Sequence, residues 1–239
     1  MTGPRRRALL PPGLLPVLSG CEGIQSMTGG DGLHGQLFNN LFTLFMIVTA
    51  FALLLVLLFL AAALMGARRP QPIENEKGLQ KVLIGWIGFI LVGLTLLTLA
   101  SYVTDRDMAK ASPGPRVLEV ELTANQWWWD VTYVDPTPSN QFRTANELHL
   151  PAGMPVHIRL KSNDVIHSFW VPNLHGKKDI IPGHPTKIFL QADRAGSYWG
   201  QCTEYCGLPH ANMRMRVIAL PQDEYEAWLV DRYGGDMRA

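Results

Sequence analysis

Leu118-Glu119-Val120-Glu121-Leu122-Thr123 alternates apolar and polar side chains residue by residue. A β-strand points successive side chains to opposite faces, so a period of two predicts a strand with Leu118, Val120 and Leu122 facing a core. The same pattern recurs where Val156, Ile158 and Leu160 alternate with His157 and Arg159. Trp128 to Val134, Glu147 to Leu150, Lys187 to Leu190 and Arg214 to Leu220 are further strand candidates. Turn residues cluster at Asp135-Pro136, from Pro151 to Gly153 and from Arg194 to Gly196. Several short strands between Pro113 and Pro221 predict an antiparallel Greek-key sandwich or barrel. Past Pro221 the period becomes helical: Asp223 and Glu224 suit a first turn, Tyr225, Trp228 and Leu229 share a face, and Gly234-Gly235 is the expected end.

Upstream the texture is different. No charged side chain occurs from Gly35 to Ala67, or again from Val82 to Thr104. A membrane helix needs about 20 apolar residues to cross roughly 30 Å of hydrocarbon, and Leu41 to Met65 and Val82 to Tyr102 each supply that. A soluble core helix normally keeps one polar face. The intervening Gly66 to Lys81 carries Arg68, Arg69, Lys77 and Lys81 against Glu74 and Glu76. The positive-inside tendency makes this loop cytoplasmic and puts all that follows Thr104 on the outer side. Arg5, Arg6 and Arg7 precede a short apolar run ending in Leu18-Ser19-Gly20-Cys21, which reads as a secretory signal.

Hydrophobic residues make up 47% and charged residues 17% of the 239, against about 25% charged in an ordinary soluble domain. This excludes a disordered chain. The formal net charge of +1 provides no field for nucleic acid. The expected organisation is a signal peptide over 1–20, a two-helix membrane anchor over 21–112, a β domain over 113–221 and a C-terminal helix and tail over 222–239.

Within the β domain, Gln201-Cys202-Thr203-Glu204-Tyr205-Cys206-Gly207-Leu208-Pro209-His210-Ala211-Asn212-Met213 brings two thiols, an imidazole and a thioether into one loop. Soft sulfur and imidazole ligands suit copper, and blue-copper sites take one histidine from a distant strand. The second cysteine is an addition to that pattern: two thiolates four apart can bridge a pair of copper ions, with one histidine terminating each. A disulfide is the alternative in an oxidising compartment. Structural zinc is another, although its cysteine pairs commonly have two-residue gaps and here the gap is three. A c-type haem is excluded, because C-x-x-C-H is absent.

The run C-T-E-Y-C-G-L-P-H-A-N-M closely resembles the binuclear CuA motif of subunit II of haem-copper cytochrome c oxidases. The likeness extends over Asp164-Val165-Ile166-His167-Ser168-Phe169-Trp170-Val171-Pro172, over Asp179-Ile180-Ile181-Pro182-Gly183 and over Gln126-Trp127-Trp128-Trp129. It implies a membrane α-helical hairpin carrying an all-β cupredoxin domain. It makes His167 and His210 the terminal copper ligands, Cys202 and Cys206 the bridging thiolates, Met213 a weak ligand and the Glu204 carbonyl a further one. The Glu204 carboxylate would also reach a magnesium or manganese ion shared with subunit I. Leu18 to Cys21 resembles the lipobox of bacterial lipoproteins, which makes Cys21 a lipid attachment site.

Read without the resemblance, three adjacent tryptophans are core packing, with Trp127 and Trp129 on one face of a strand. The resemblance makes Trp127 the point where electrons arrive from docked cytochrome c. It further implies subunits I and III as partners and a bacterial inner-membrane location with the C-terminal domain in the periplasm. Oxygen reduction and proton pumping would lie in subunit I. His149, His157, His175 and His184 fall outside the motif and are expected on the surface or in loops, and Met215 in the core. The alternatives are a quinol oxidase subunit II, whose family has lost the copper ligands, and a membrane-anchored copper carrier or assembly factor. Two departures stand out: Leu79-Gln80-Lys81-Val82 lacks the glutamate that many members carry near a proton-channel mouth, and His184 follows Pro182-Gly183 where arginine is usual.

Overall fold

The computed structural model describes residues 25–28, 30–66, 76–110, 118–135 and 137–236. The signal segment, Cys21 and the Arg68, Arg69 and Glu74 charges lie outside them. Two long helices come first, α1 (Leu33–Gly66) and α2 (Glu76–Lys110). Both are longer than their charge-free runs, and α2 begins at Glu76, so Lys77 and Lys81 belong to its first turns rather than to a loop. Their apolar side chains face outward, with Leu58, Phe59, Ile84 and Leu96 each more than half exposed. Long helices whose apolar stretches stay exposed suit hydrocarbon as the solvent, and the chain is membrane-anchored. The pair is held in part by aromatic contacts, Phe59 edge-on to Trp86 at 6.0 Å and Phe51 near Phe89 at 6.5 Å. At the other end His34 Nε2 lies 3.3 Å from the Met108 carbonyl.

Among the described residues ten strands follow: β1 (Leu118–Asn125), β2 (Trp128–Tyr133), β3 (Phe142–Ala145), β4 (Glu147–Pro151), β5 (Val156–Ser162), β6 (His167–Trp170), β7 (Lys178–Ile180), β8 (Thr186–Leu190), β9 (Gly196–Cys202) and β10 (Arg214–Leu220). They form two five-stranded sheets, ordered β3-β2-β1-β5-β8 and β4-β10-β9-β6-β7. β1 runs parallel to β5 and β4 parallel to β10, while the other pairings are antiparallel. This is the cupredoxin-like β domain that the resemblance implied. The alternating residues do what their pattern predicts: Val120, Leu122, Val156, Ile158 and Leu160 are buried between the sheets.

The final helix, α3 (Gln222–Asp236), continues through Gly234-Gly235, where its end was expected. Two glycines cost helix stability, but they forbid nothing. Trp228 anchors this helix, stacked on His149 at 4.3 Å and edge-on to Tyr133 at 5.3 Å.

The segment before α1 is strapped to the β domain. Asp31 N–H donates to the Asn173 carbonyl (2.8 Å), Asp193 N–H donates to the Asp31 carbonyl (2.5 Å), and the Asp31 carboxylate pairs with Arg194. Gly35 N–H donates to the Leu174 carbonyl at 3.2 Å. A Cβ on Gly32 would collide with the Gln191 carbonyl, and one on Gly35 with that of Asn173, so both glycines are required for close backbone approach.

Leu160 is fully buried in β5, which is paired on both sides, with β1 and β8. Leu160→Ala is expected to cost about 2–5 kcal/mol of stability, read as a lowered melting temperature of the β domain in the detergent-solubilised chain.

Candidate metal centre

His167 opens β6 and Cys202 closes β9, and these strands pair with Phe169 opposite Cys202. Just past the strand ends, Thr203 N–H donates to the Ser168 carbonyl at 3.0 Å. Gly200 permits the approach: a Cβ there would meet Val171 at 3.3 Å and Phe169 at 3.4 Å. Cys202 N–H donates to the Met213 carbonyl (3.0 Å), which closes the loop between β9 and β10 at its base. Inside that loop, the carbonyl of Gly207 accepts from His210 N–H and the carbonyl of His210 accepts from Met213 N–H, both at 3.1 Å.

The result is a row of donor atoms. His167 Nδ1 lies 3.7 Å from Cys202 Sγ, Cys202 Sγ 3.8 Å from Cys206 Sγ, and Cys206 Sγ 3.5 Å from His210 Nδ1. Met213 Sδ is 3.8 Å from Cys206 Sγ, and the Glu204 carbonyl oxygen is 3.3 Å from Cys202 Sγ. Both cysteines are free thiols. His167, Cys202, Cys206 and Met213 are all at most 5% exposed. Among the described residues, His167, Cys202 and Cys206 form the group whose ligand atoms all lie within 4.8 Å of one another. Two thiols, two imidazoles, a thioether and a carbonyl are a soft donor set that fits copper.

Electrostatics divide the protons unequally among these groups: one thiol gives its proton up more readily, while the other thiol and the imidazole hold theirs. Burial pushes the Cys202 thiol up, but contacts with His167, the backbone of Ser168 and Glu204, and Cys206 together bring it below its usual value. Burial pushes the Cys206 thiol up, and the neighbouring Cys202 raises it further. Burial works against protonated His167, yet Cys202 and Asp164 hold its proton and raise its pKa. Metal ligands must be deprotonated, so a cation competes directly with these protons.

Asp164 and Gln126 have roles that sequence reasoning did not assign. Asp164 Oδ1 is 2.8 Å from His167 Nε2, the ring nitrogen opposite the thiol, and accepts Val165 N–H at 2.7 Å. Its Oδ2 accepts the Gln126 N–H at 2.6 Å. Burial raises the Asp164 carboxyl, and these hydrogen bonds more than reverse the effect. The signal was available in the sequence as an acid three residues before a ligand histidine. Gln126 Nε2 donates to the Cys206 carbonyl at 2.6 Å, and Trp127 Nε1 donates to the same oxygen at 3.2 Å.

The tryptophans are arranged differently from the strand reading. Trp127 sits in the turn before β2, so it does not share a face with Trp129. Trp127 and Trp128 are partly exposed, at 38% and 37%, whereas Trp129 is fully buried against Phe169 and His167. The histidines outside the motif do stay away from the donor row, but His149 is not a surface residue: it lies buried in β4. His157 lies in β5 against Phe189, His175 meets the His34 ring at a tilt with centroids 4.4 Å apart, and His184 is exposed. Met215 is in the core, as expected.

Fold and donor set together define a class, a membrane-anchored cupredoxin-like domain with a buried thiol–imidazole cluster that could hold a metal. Residues 120–220 match the sequence family described as cytochrome c oxidase subunit II, periplasmic domain. The chain is similar to subunit II proteins of cytochrome c oxidases and quinol oxidases. Cytochrome c oxidase subunit 2 of Alkalihalophilus pseudofirmus is 30% identical over 222 residues, covering 89% of this chain and 64% of that protein. This chain therefore spans a little under two thirds of that relative's length. Quinol oxidase subunit 2 of Bacillus cereus is 26% identical over 230 residues, 93% of this chain and 78% of that one. The crystal structure of the periplasmic domain of subunit II of a Bradyrhizobium japonicum cytochrome oxidase is 27% identical, covers 48% of this chain and 93% of that domain, and has a TM-score of 0.45.

Outer-shell partners of metal ligands typically matter by about 10–100-fold in affinity or activity. Asp164→Ala is expected to weaken copper retention by about that factor, measured by competition with a chelator.

Proposed function

We propose that this chain accepts electrons from a reduced cytochrome c at a binuclear copper centre and passes them towards haem in subunit I of an oxidase. The observation that carries the reading is the order of the donors: imidazole, thiol, thiol, imidazole in a row. A single tetrahedral ion with metal–ligand bonds of about 2.0–2.3 Å would need all four donors around one point. His210 instead approaches Cys206 at 3.5 Å and stands outside the compact group of three. Cys202 and Cys206 would bridge the two metals, His167 and His210 would terminate them, and Met213 and the Glu204 carbonyl would be the weak ligands. Such a centre supplies a one-electron carrier whose charge is spread over two metals and two thiolates.

The chain's own residues provide the rest. Asp164 fixes the His167 ring with Nδ1 turned to the thiols. Trp129 and Phe169 close the site on its core side and exclude water. Trp127 is partly exposed and hydrogen-bonded to the Cys206 carbonyl, which suits a residue that must touch both a docked donor and the metal loop. The complete donor set favours a cytochrome c donor over the quinol reading, despite the quinol oxidase relatives. The charged loop and first turns between the helices support an outer, periplasmic position for the β domain in a bacterial inner membrane. Lipidation of Cys21, a magnesium or manganese ion at Glu204 and association with subunit III complete the proposal.

Loading the purified chain with copper is expected to produce the paramagnetic resonance spectrum of one unpaired electron shared by two equivalent nuclei. A mononuclear spectrum, or no retained copper, would overturn the reading. Cys206→Ser should abolish the shared signal. In the assembled oxidase, Trp127→Phe should slow electron uptake from reduced cytochrome c by on the order of tenfold, with an unaltered copper spectrum. An unchanged rate would remove Trp127 from the path.

A further inference from the structure

We infer that Gln126 is a positioning residue for electron arrival, holding the Trp127 indole on the peptide of a metal-bridging cysteine. The inference rests on the role proposed above for Trp127, and goes beyond it by assigning what keeps that ring in place.

A carbonyl oxygen has two lone pairs and can accept two donors. The Cys206 carbonyl does so: it takes Gln126 Nε2 at 2.6 Å and Trp127 Nε1 at 3.2 Å. The glutamine bond is the shorter, and it comes from the residue immediately before the tryptophan. Gln126 is itself fixed from behind, because its backbone N–H donates to Asp164 Oδ2 at 2.6 Å while Asp164 Oδ1 meets His167 Nε2 at 2.8 Å. One glutamine thus connects His167, the Cys206 peptide and the indole through four consecutive hydrogen-bonded contacts.

Space at the joint is reserved as well. Gly207 has φ +124°, and a Cβ there would meet the Trp127 ring at 3.0 Å and Gln126 Nε2 at 3.2 Å. Both the backbone conformation and the close approach require glycine. Without that amide the partly exposed Trp127 ring would keep its packing on Gly207 and one longer hydrogen bond, and could swing further towards solvent. A functional group 1 Å out of place can cost about a hundredfold in rate, so the amide that limits this swing acts on electron uptake without touching the metal.

The test uses two variants in the assembled oxidase, with Trp127→Phe alongside. Gln126→Glu keeps the length and removes the donor; Gln126→Asn keeps the donor and shortens its reach. Both are expected to retain the parental copper content and paramagnetic resonance spectrum while electron uptake from reduced cytochrome c slows by on the order of tenfold. Parental uptake in both glutamine variants, with Trp127→Phe slow, overturns the role of Gln126 and leaves that of Trp127 intact. Parental uptake in Trp127→Phe overturns the arrival point itself, and this inference with it. Loss of the copper spectrum in both glutamine variants assigns Gln126 to building the metal loop and also overturns the inference.

Discussion

The antiparallel pairing of β6 with β9 is the constraint on which the rest of the molecule depends. It sets His167 beside Cys202 although they are 35 residues apart in sequence. Side chains alternate between faces along a strand, so a slip of one residue would turn His167 away from the thiols and bring Ser168 in its place. The register is secured at both margins: Gly200 allows Phe169 and Val171 to seat closely, and the Thr203 N–H extends the pairing past the last strand residue. Cys206, His210 and Met213 then need only a short loop, whose base is pinned by the Cys202 to Met213 backbone hydrogen bond.

Burying these donors is costly before a metal arrives. Thiols and imidazoles without water must find partners among themselves, and they do, in one connected set that runs from Asp164 through His167 and Cys202 to Cys206. The carboxylate at one end faces an imidazole whose proton it helps to hold, while the thiol on the other side of that ring favours ionisation. In the proposed role, metal binding would exchange those protons for a cation on a scaffold that the sheets already hold rigid. Sites placed at the ends of strands gain their precision in this way, from elements rather than from the loop itself.

Much of this was legible in the sequence, and the exceptions have physical causes. β1 and β5 show period-two alternation because one face of each is packed and the other is wet. β9 hides the same alternation: its inward positions are Tyr198, Gly200 and Cys202, where glycine and a metal-site cysteine replace the usual aliphatics. β6 has four residues, of which His167, Ser168 and Phe169 are buried on both faces, too short and too uniform to show a period. Trp127 was misassigned to a strand face because a turn at Gln126 and Trp127 interrupts the pattern that propensity alone would extend. Of the donor row, each residue was identifiable from its motif. The supports were harder to read: Asp164 left only its spacing of three residues before His167, and Gln126 left no signal, since amides are common near strand ends and only its geometry distinguishes it.

Anchoring adds a further constraint. Helix α1 has 34 residues, roughly 50 Å at about 1.5 Å per residue, against a hydrocarbon core of roughly 30 Å. The surplus lets the first turn of α1 stand clear of the bilayer, where Gly35 and Gln36 bond directly to the β domain and the strap at Asp31 bonds to Asn173, Asp193 and Arg194. A flexible linker would allow the domain to tumble over the membrane. A helix whose end is bonded to the loops flanking β6 and β9 instead carries its orientation into the strands that hold His167 and Cys202. In the proposed role this matters for the outgoing electron. The distance from the metal loop to an acceptor in the membrane would then be set by α1 together with the strap, and the same backbone contacts that fix the domain would fix the path.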